Sequence, residues 1–325
     1  MNKSVSFYIN LINQSLQERE ERKTPANLYE PITYTLNLGG KRIRSALLML
    51  VNNLFGGKDE AAIDAALAIE VFHNFTLLHD DIMDEAPLRR GHPSVYKKWN
   101  TNVAILSGDV MLVQAFQLLN KKDQPHLHAV LEVFNTTAIQ VCEGQQLDMD
   151  YEKQDVVSID DYLTMIELKT AVLLGASLKI GAIIANTSSD NAHHIYEFGK
   201  NLGIAFQLMD DLLDVYGNPQ KVGKRVGGDI IVNKKTYLLL KAQELATGKI
   251  QKDLDFCLSS KVLDDDTKIA RITAIFNQLS IKKLATDEMN LFYHTAISHL
   301  DSVDAPDTQK AVFEQFAKSL MKRES

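Results

Sequence analysis

Cysteine is nearly absent from this 325-residue chain: Cys142 and Cys257 are too few and too far apart for a disulfide framework or a zinc site, so a reducing cytoplasm is the expected location. Excess basic charge is missing too. The net charge is −7, whereas a nucleic-acid surface is normally cationic, so no nucleic-acid partner is expected. No apolar run approaches the roughly 20 residues that cross a bilayer, and no transmembrane segment is expected. Met1-Asn2-Lys3-Ser4 leads straight into a mixed polar helical pattern, unlike a secretory signal. No stretch alternates apolar and polar residues for long enough to form a strand. There is no low-complexity run, and no Walker-type G-x-x-x-x-G-K-[ST]. The seven prolines (25, 31, 87, 93, 125, 219 and 306) read as element starts or loops.

What is present is helical periodicity. Val5, Tyr8, Ile9, Leu11, Ile12 and Leu16 mark a helix over 4–20, and a second runs over 27–37 to Gly39-Gly40. An apolar helix containing Ala46–Val51 stops at Gly56-Gly57, and a long one runs from Asp59 to Asp84. Further helical patterns cover 101–121, 126–147, 159–186 and 191–217, then 235 to the end with breaks near 247, 258–266 and 301–307. A loop covers 85–93, and a polar, glycine-rich one runs from Gly217 to Gly228. The expectation is an all-α chain, one helical domain over 1–325 with no linker.

The long helix ends in Asp80-Asp81-Ile82-Met83-Asp84. Three carboxylates in one arc repel one another, and a cation would relieve that. Mg²⁺ suits such a cluster, because it takes hard oxygen ligands and is usually shared with substrate phosphates. The pattern recurs at Asp210-Asp211-Leu212-Leu213-Asp214, again behind an apolar helix where carboxylates are costly unless paired or metal-bound. In a bundle such clusters can face each other across the core. Arg89 and Arg90 follow the first cluster, Lys224 and Lys234 follow the second, and Lys41, Arg42 and Arg44 open an apolar helix. Metal-holding acids ringed by Lys and Arg describe a site for a polyphosphate ester that is not a nucleotide.

These residues resemble the polyprenyl synthetase family of trans-isoprenyl diphosphate synthases along most of the chain. The resemblance rests on G-G-K-R-x-R at 39–44, H-x-x-x-x-x-H-D-D-x-x-D at 73–84 and R-R-G at 89–91. It continues with K-T at 169–170, F-Q-x-x-D-D-x-x-D at 206–214, G-K-x-x-G-x-D at 223–229, and Lys234 with Thr236. It implies an isoprenoid-synthase-like bundle with a central cavity, condensing isopentenyl diphosphate with an allylic diphosphate through ionisation, condensation and loss of a proton. Asp80, Asp84 and Asp210 would ligate Mg²⁺, three ions per site, with Asp81 and Asp214 in support. Arg89, Lys169, Lys224 and Lys234 would hold the allylic diphosphate. Lys41, Arg44, His73 and Arg90 would bind isopentenyl diphosphate, and Gln207 and Thr170 would line the reacting end. Phe75 and Thr76, five and four residues before the first aspartate, would help set product length; the aromatic Phe75 resembles short-chain members, C20 first and C15 next. A homodimer through helices of the first half is implied as well.

Three other readings compete. A class I terpene cyclase shares the first aspartate motif but usually carries an Asn/Ser/Glu-type second motif and has no use for a second cationic pocket. An HD-type phosphohydrolase would need a more distant upstream histidine than His73. A non-catalytic regulatory subunit would have lost part of one cluster, and both are complete here.

Overall fold

The helical periods of the sequence are realised almost one for one. The computed structural model describes residues 3–19, 23–121, 124–218 and 226–321. Its helices are α1 Val5–Glu18, α2 Ala26–Asn37, α3 Ile43–Leu54, α4 Asp59–Met83, α5 Val95–Lys98, α6 Thr101–Leu119 and α7 Leu127–Lys153. After α8 Ile159–Ile166 comes a single π-helical turn, Glu167–Ala171, then α9 Val172–Ile184 and α10 Ser189–Tyr216. The remainder is α11 Gly228–Ile231, α12 Tyr237–Leu245, α13 Gly248–Ser259, α14 Asp265–Gln278, α15 Ile281–Asp301 and α16 Asp307–Met321. Several N-termini carry side-chain caps, including a Ser158–Asp161 capping box at α8 and Asn100 at α6. The fold class is all-α.

Two compact units divide the chain, Met1–Asn135 with Ser177–His193, and Thr136–Ala176 with His194–Ser325. The first is built on α3 and α4, where Ser45–Val51 and Ala65–Phe72 are buried without interruption. A helix apolar on all sides belongs inside a core. Gly181 of α9 lies directly on α3, since a Cβ there would stand 2.3 Å from the Leu48 carbonyl oxygen. Edge-to-face rings join Phe72 to Phe134 and Phe134 to Phe116, each at 5.2 Å. The second unit packs Tyr162, Leu208, Leu212, Leu238, Ile272 and Phe276 into one core. There α10 meets the π turn and α9 backbone to backbone: Cβ atoms at Gly199 and Gly203 would come within 2.9 Å of Gly175 Cα and 2.7 Å of Ala171 Cα.

Three details depart from the sequence expectation. Pro31 sits inside α2, not at its start, so the Asn27 carbonyl cannot receive its usual i+4 bond. The 85–93 loop contains a short antiparallel hairpin, β1 Leu88–Arg89 and β2 His92–Pro93. Its two-residue turn has Arg90 at φ 53° and Gly91 at φ 79°, the positive pair that a type I′ turn requires. Finally, α4 and α6 are each long and apolar enough to cross a membrane by length and composition, which revises the expectation that nothing approached that length. Of α4's apolar window 67% is buried within the protein, so its hydropathy serves the core; the share for α6 is 33%.

Candidate active site

The first aspartate cluster divides by helix phase. Asp80 is half-buried on the last turn of α4, and Asp84 caps that helix, its N–H donating to the Asp80 carbonyl at 2.8 Å. Asp81, 100° around the axis, is buried and turned to Arg89, which reaches it from the hairpin through Nε at 2.9 Å and through Nη2. Burial raises the Asp81 pKa, and the Arg89 guanidinium opposes the rise. Three like charges thus become an outward pair, Asp80 and Asp84, and a separate Asp81–Arg89 ion pair.

Beside this cluster the same unit gathers four guanidinium groups. Gly39 (φ 78°), Gly40 (φ 143°) and Arg42 (φ 50°) turn the chain through the left-handed region before α3 begins. Lys41 is left exposed. The Arg90 guanidinium lies over Gly40, where a Cβ would come within 2.8 Å of Nη2. Arg44 donates from Nη1 to His73 Nε2 at 3.2 Å, while its Nε is buried with no hydrogen-bond partner. Burial, then Arg44, Arg90, Arg89 and Arg42, hold the His73 pKa well below the usual value. His73 is therefore neutral at pH 7, with Nε2 accepting and the proton on Nδ1. A low-lying histidine pKa makes the folded state bind fewer protons than the unfolded one. Its contribution is fully present above the unfolded pKa near 6.5 and is lost as the pH falls below it. Glu70 pairs with Arg42 and Asp81 with Arg89, while Arg44 bonds a neutral histidine and Arg90 lies over Gly40, so positive charge is concentrated here.

The product-length candidates lie on the same helix. Phe75 is buried, its ring edge-to-face with His79 at 4.8 Å and tilted on Phe72 at 5.7 Å. The Thr76 hydroxyl donates to its own helix at the His73 carbonyl, 2.8 Å away. Gly108 of α6 lets the His79 ring lie against the helix backbone, for a Cβ there would stand 2.2 Å from Nε2.

The second cluster, in the other unit, divides in the same way. Asp210 is exposed. Asp211 is buried and accepts from the Tyr162 hydroxyl at 2.5 Å, with Gln207 Nε2 at 3.5 Å. Burial pushes the Asp211 pKa up to about 7, and the Tyr162 bond holds it from rising further. Asp214 accepts from the Asp229 backbone N–H at 3.0 Å, and burial and the Asp229 carboxylate both raise its pKa. Lys234 stands 4.0 Å from Asp229, at the limit of an ion pair, because its N–H closes a turn onto the Asp229 carbonyl at 2.9 Å.

Lys169 and Thr170 lie in the π turn, a device common where a helix serves a site. Lys169 Nζ donates to Asp148 Oδ2 of α7 at 2.5 Å. The approach is close because a Cβ at Gly144 would stand 2.2 Å from the Lys169 backbone nitrogen. Next to that glycine, Gln145 is buried with both amide atoms unpartnered, a costly arrangement unless a ligand or water completes it. Lys224 lies outside the described residues.

Sequence reasoning missed Asp229, Tyr162 and Glu70. Asp229 closes the G-x-x-x-G-x-D pattern at 223–229, so its signal was present; Tyr162 is 49 residues from its partner and left none. Among the described residues no three His, Cys, Asp or Glu side chains converge on one point. In the first unit Asp84 is exposed and Asp80 half-buried, and in the second Asp210 is exposed.

The comparisons with known proteins meet this geometry. The family model "Polyprenyl synthetase" matches residues 25–277. A geranylgeranyl diphosphate synthase of Methanosarcina mazei is 40% identical over 222 residues, 68% of either chain. A crystal structure of a geranylgeranyl pyrophosphate synthase is similar at a TM-score of 0.94 and 40% identity, covering 99% of this chain and 100% of that one. The structure of geranylgeranyl pyrophosphate synthase from Corynebacterium glutamicum, complexed with isoprenyl diphosphate and magnesium, gives 0.87 and 26%, covering 99% and 100%. Two aspartate clusters, each followed by its own cations and matched by a family model over most of the length, leave one assignment: the chain belongs to the polyprenyl synthetase family.

Proposed function

We propose that this protein is a Mg²⁺-dependent prenyltransferase that condenses isopentenyl diphosphate with an allylic diphosphate to give a C20 trans-prenyl diphosphate. The observation that carries the reading is the arginine group around a neutral His73. A half-buried guanidinium with an unmet Nε donor, among three more, calls for a multivalent anion beside an aspartate cluster. Arg44, His73, Arg90 and the exposed Lys41 hold isopentenyl diphosphate. Arg89, Lys169, Lys224 and Lys234 hold the allylic diphosphate. Asp80, Asp84 and Asp210 hold three Mg²⁺ ions, which when bound neutralise the charge that develops on the departing diphosphate. Asp81 fixes Arg89, Tyr162 fixes Asp211, and Asp229 with Asp214 orders the turn that carries Lys234. Gln207 and Thr170 line the reacting end, and Phe75 with Thr76 limits product depth. Two diphosphate pockets tell against a cyclase, and two complete clusters against a regulatory subunit. The reading treats 1–325 as one functional domain in the cytoplasm, since the boundaries between its units fall inside α7, α9 and α10, not in a linker.

Purified protein given Mg²⁺, radiolabelled isopentenyl diphosphate and C5, C10 or C15 primers is expected to release diphosphate and stop at C20, with EDTA abolishing turnover. Phe75→Ala is expected to lengthen the product. Failure to elongate any primer would overturn the synthase reading, and a principal wild-type product other than C20 would overturn the length.

A homodimer belongs to the same proposal. Ile105, Leu106, Val113 and Phe116 are exposed within one 100° arc of α6, an apolar face interrupted by Asn102 and Asp109 that a second copy would cover. Light scattering is expected to give twice the 36.4 kDa chain mass, and Leu106→Lys with Val113→Glu to halve it; a monomeric wild type would sink the idea.

A further inference from the structure

Glu70 is the one acid in the run Ala65–Phe72, and it is 2% exposed. A buried carboxylate is tolerated only where hydrogen bonds and a counter-charge replace its water. Three donors converge on it. Oε1 accepts from Arg42 Nη1 at 2.6 Å and from Asn74 Nδ2 at 2.9 Å, and Oε2 accepts from Ser45 Oγ at 2.9 Å.

Arg42 is thereby taken out of substrate binding. It is 4% exposed, and its remaining donors go to the Leu36 carbonyl at the end of α2 and to Asn13 Oδ1 of α1 at 3.1 Å. One side chain thus ties α1, α2 and α4 to the strap 39–44 while its own backbone holds the left-handed turn into α3. Lys41 precedes it in that strap, and Arg44 and Ser45 follow in the first turn of α3. The Glu70 carboxylate is also a nearby counter-charge for the half-buried Arg44.

We propose that Glu70 is a positioning residue for the isopentenyl diphosphate pocket: through Arg42 and Ser45 it fixes the strap that presents Lys41 and Arg44, without touching substrate. This rests on the pocket assignment proposed above. Glu70→Gln isolates the charge. The glutamine oxygen can keep Arg42 and Asn74, while its amide donates to a Ser45 hydroxyl that rotates to accept, so every hydrogen bond survives. What is lost is the anion that pins Arg42.

The test is a two-substrate kinetic analysis of the full-length enzyme with Mg²⁺. Glu70→Gln is expected to raise KM for isopentenyl diphosphate about tenfold, one charge-assisted bond weakened, while the allylic KM and the Mg²⁺ dependence stay at wild-type values. Equal changes in both KM values, or none, would overturn it. If Glu70→Gln does not fold, Ser45→Ala keeps the charge, removes one donor and is expected to raise the same KM about threefold; an unchanged KM there would also overturn it. Arg44→Gln keeps the two ideas apart. If it raises the allylic KM alone, the pocket assignment fails; if it raises the isopentenyl diphosphate KM and Glu70→Gln does not, only the positioning role fails.

Discussion

Asp80→Ala and Asp210→Ala are each expected to lower kcat by about a thousandfold or more, roughly 4 kcal/mol of transition-state stabilisation, with the melting temperature nearly unchanged. The two expectations come from the same geometry. Asp210 is exposed and Asp80 half-buried, so neither alanine opens a cavity in the core. Both nevertheless belong to the proposed metal set, where the leaving-group charge has to be met. Asp81 and Asp211 make the contrast. Each is buried and hydrogen-bonded, Asp81 to Arg89 and Asp211 to Tyr162 and Gln207, so alanine there should lower both stability and activity. Steady-state kinetics across a Mg²⁺ titration, alongside thermal melts, separates the two classes. Activity of Asp80→Ala within tenfold of wild type, at an unchanged Mg²⁺ requirement, would sink the metal assignment.

That division within D-D-x-x-D shows where the sequence stops being legible. Helix periodicity follows from apolar residues at 3.6-residue spacing, a local signal, and it located the long helices and the break at the hairpin. Two features were too short to leave such a signal. The strands Leu88–Arg89 and His92–Pro93 are two residues each, below any alternation, and the π turn at Lys169 changes backbone register without changing composition. Pro31 was misplaced because its cost inside α2 is met by burial in the tertiary core, which no local rule reports. The candidate site was legible as a set of residues and less so as a set of roles. Which aspartate turns outward depends on partners eight residues downstream for Asp81 and 49 upstream for Asp211. The motif could not say which of its cations are consumed by the fold.

Arg42 and Arg44 put that last question to experiment, since they stand two residues apart in one motif and are expected to fail in opposite ways. Arg42→Leu should destabilise the protein by about 3–5 kcal/mol, because it strands the Glu70 carboxylate at 2% exposure and frees the turn joining α2 to α3. Arg44→Leu should leave the melting temperature unchanged or higher. Its guanidinium is desolvated, its pKa is lowered by burial, and its Nε has no partner, so an apolar side chain removes a cost. The functional order reverses: Arg44→Leu should raise KM for isopentenyl diphosphate about 10- to 100-fold, one to two lost charge-assisted bonds. Calorimetry and two-substrate kinetics on both variants check the crossing. Combining Arg42→Leu with Glu70→Leu should recover stability relative to Arg42→Leu alone, by an interaction energy up to about 3 kcal/mol, because the stranded charge is gone. It should not recover affinity for isopentenyl diphosphate, because what the pair supplies to the pocket is the position of Lys41 and Arg44.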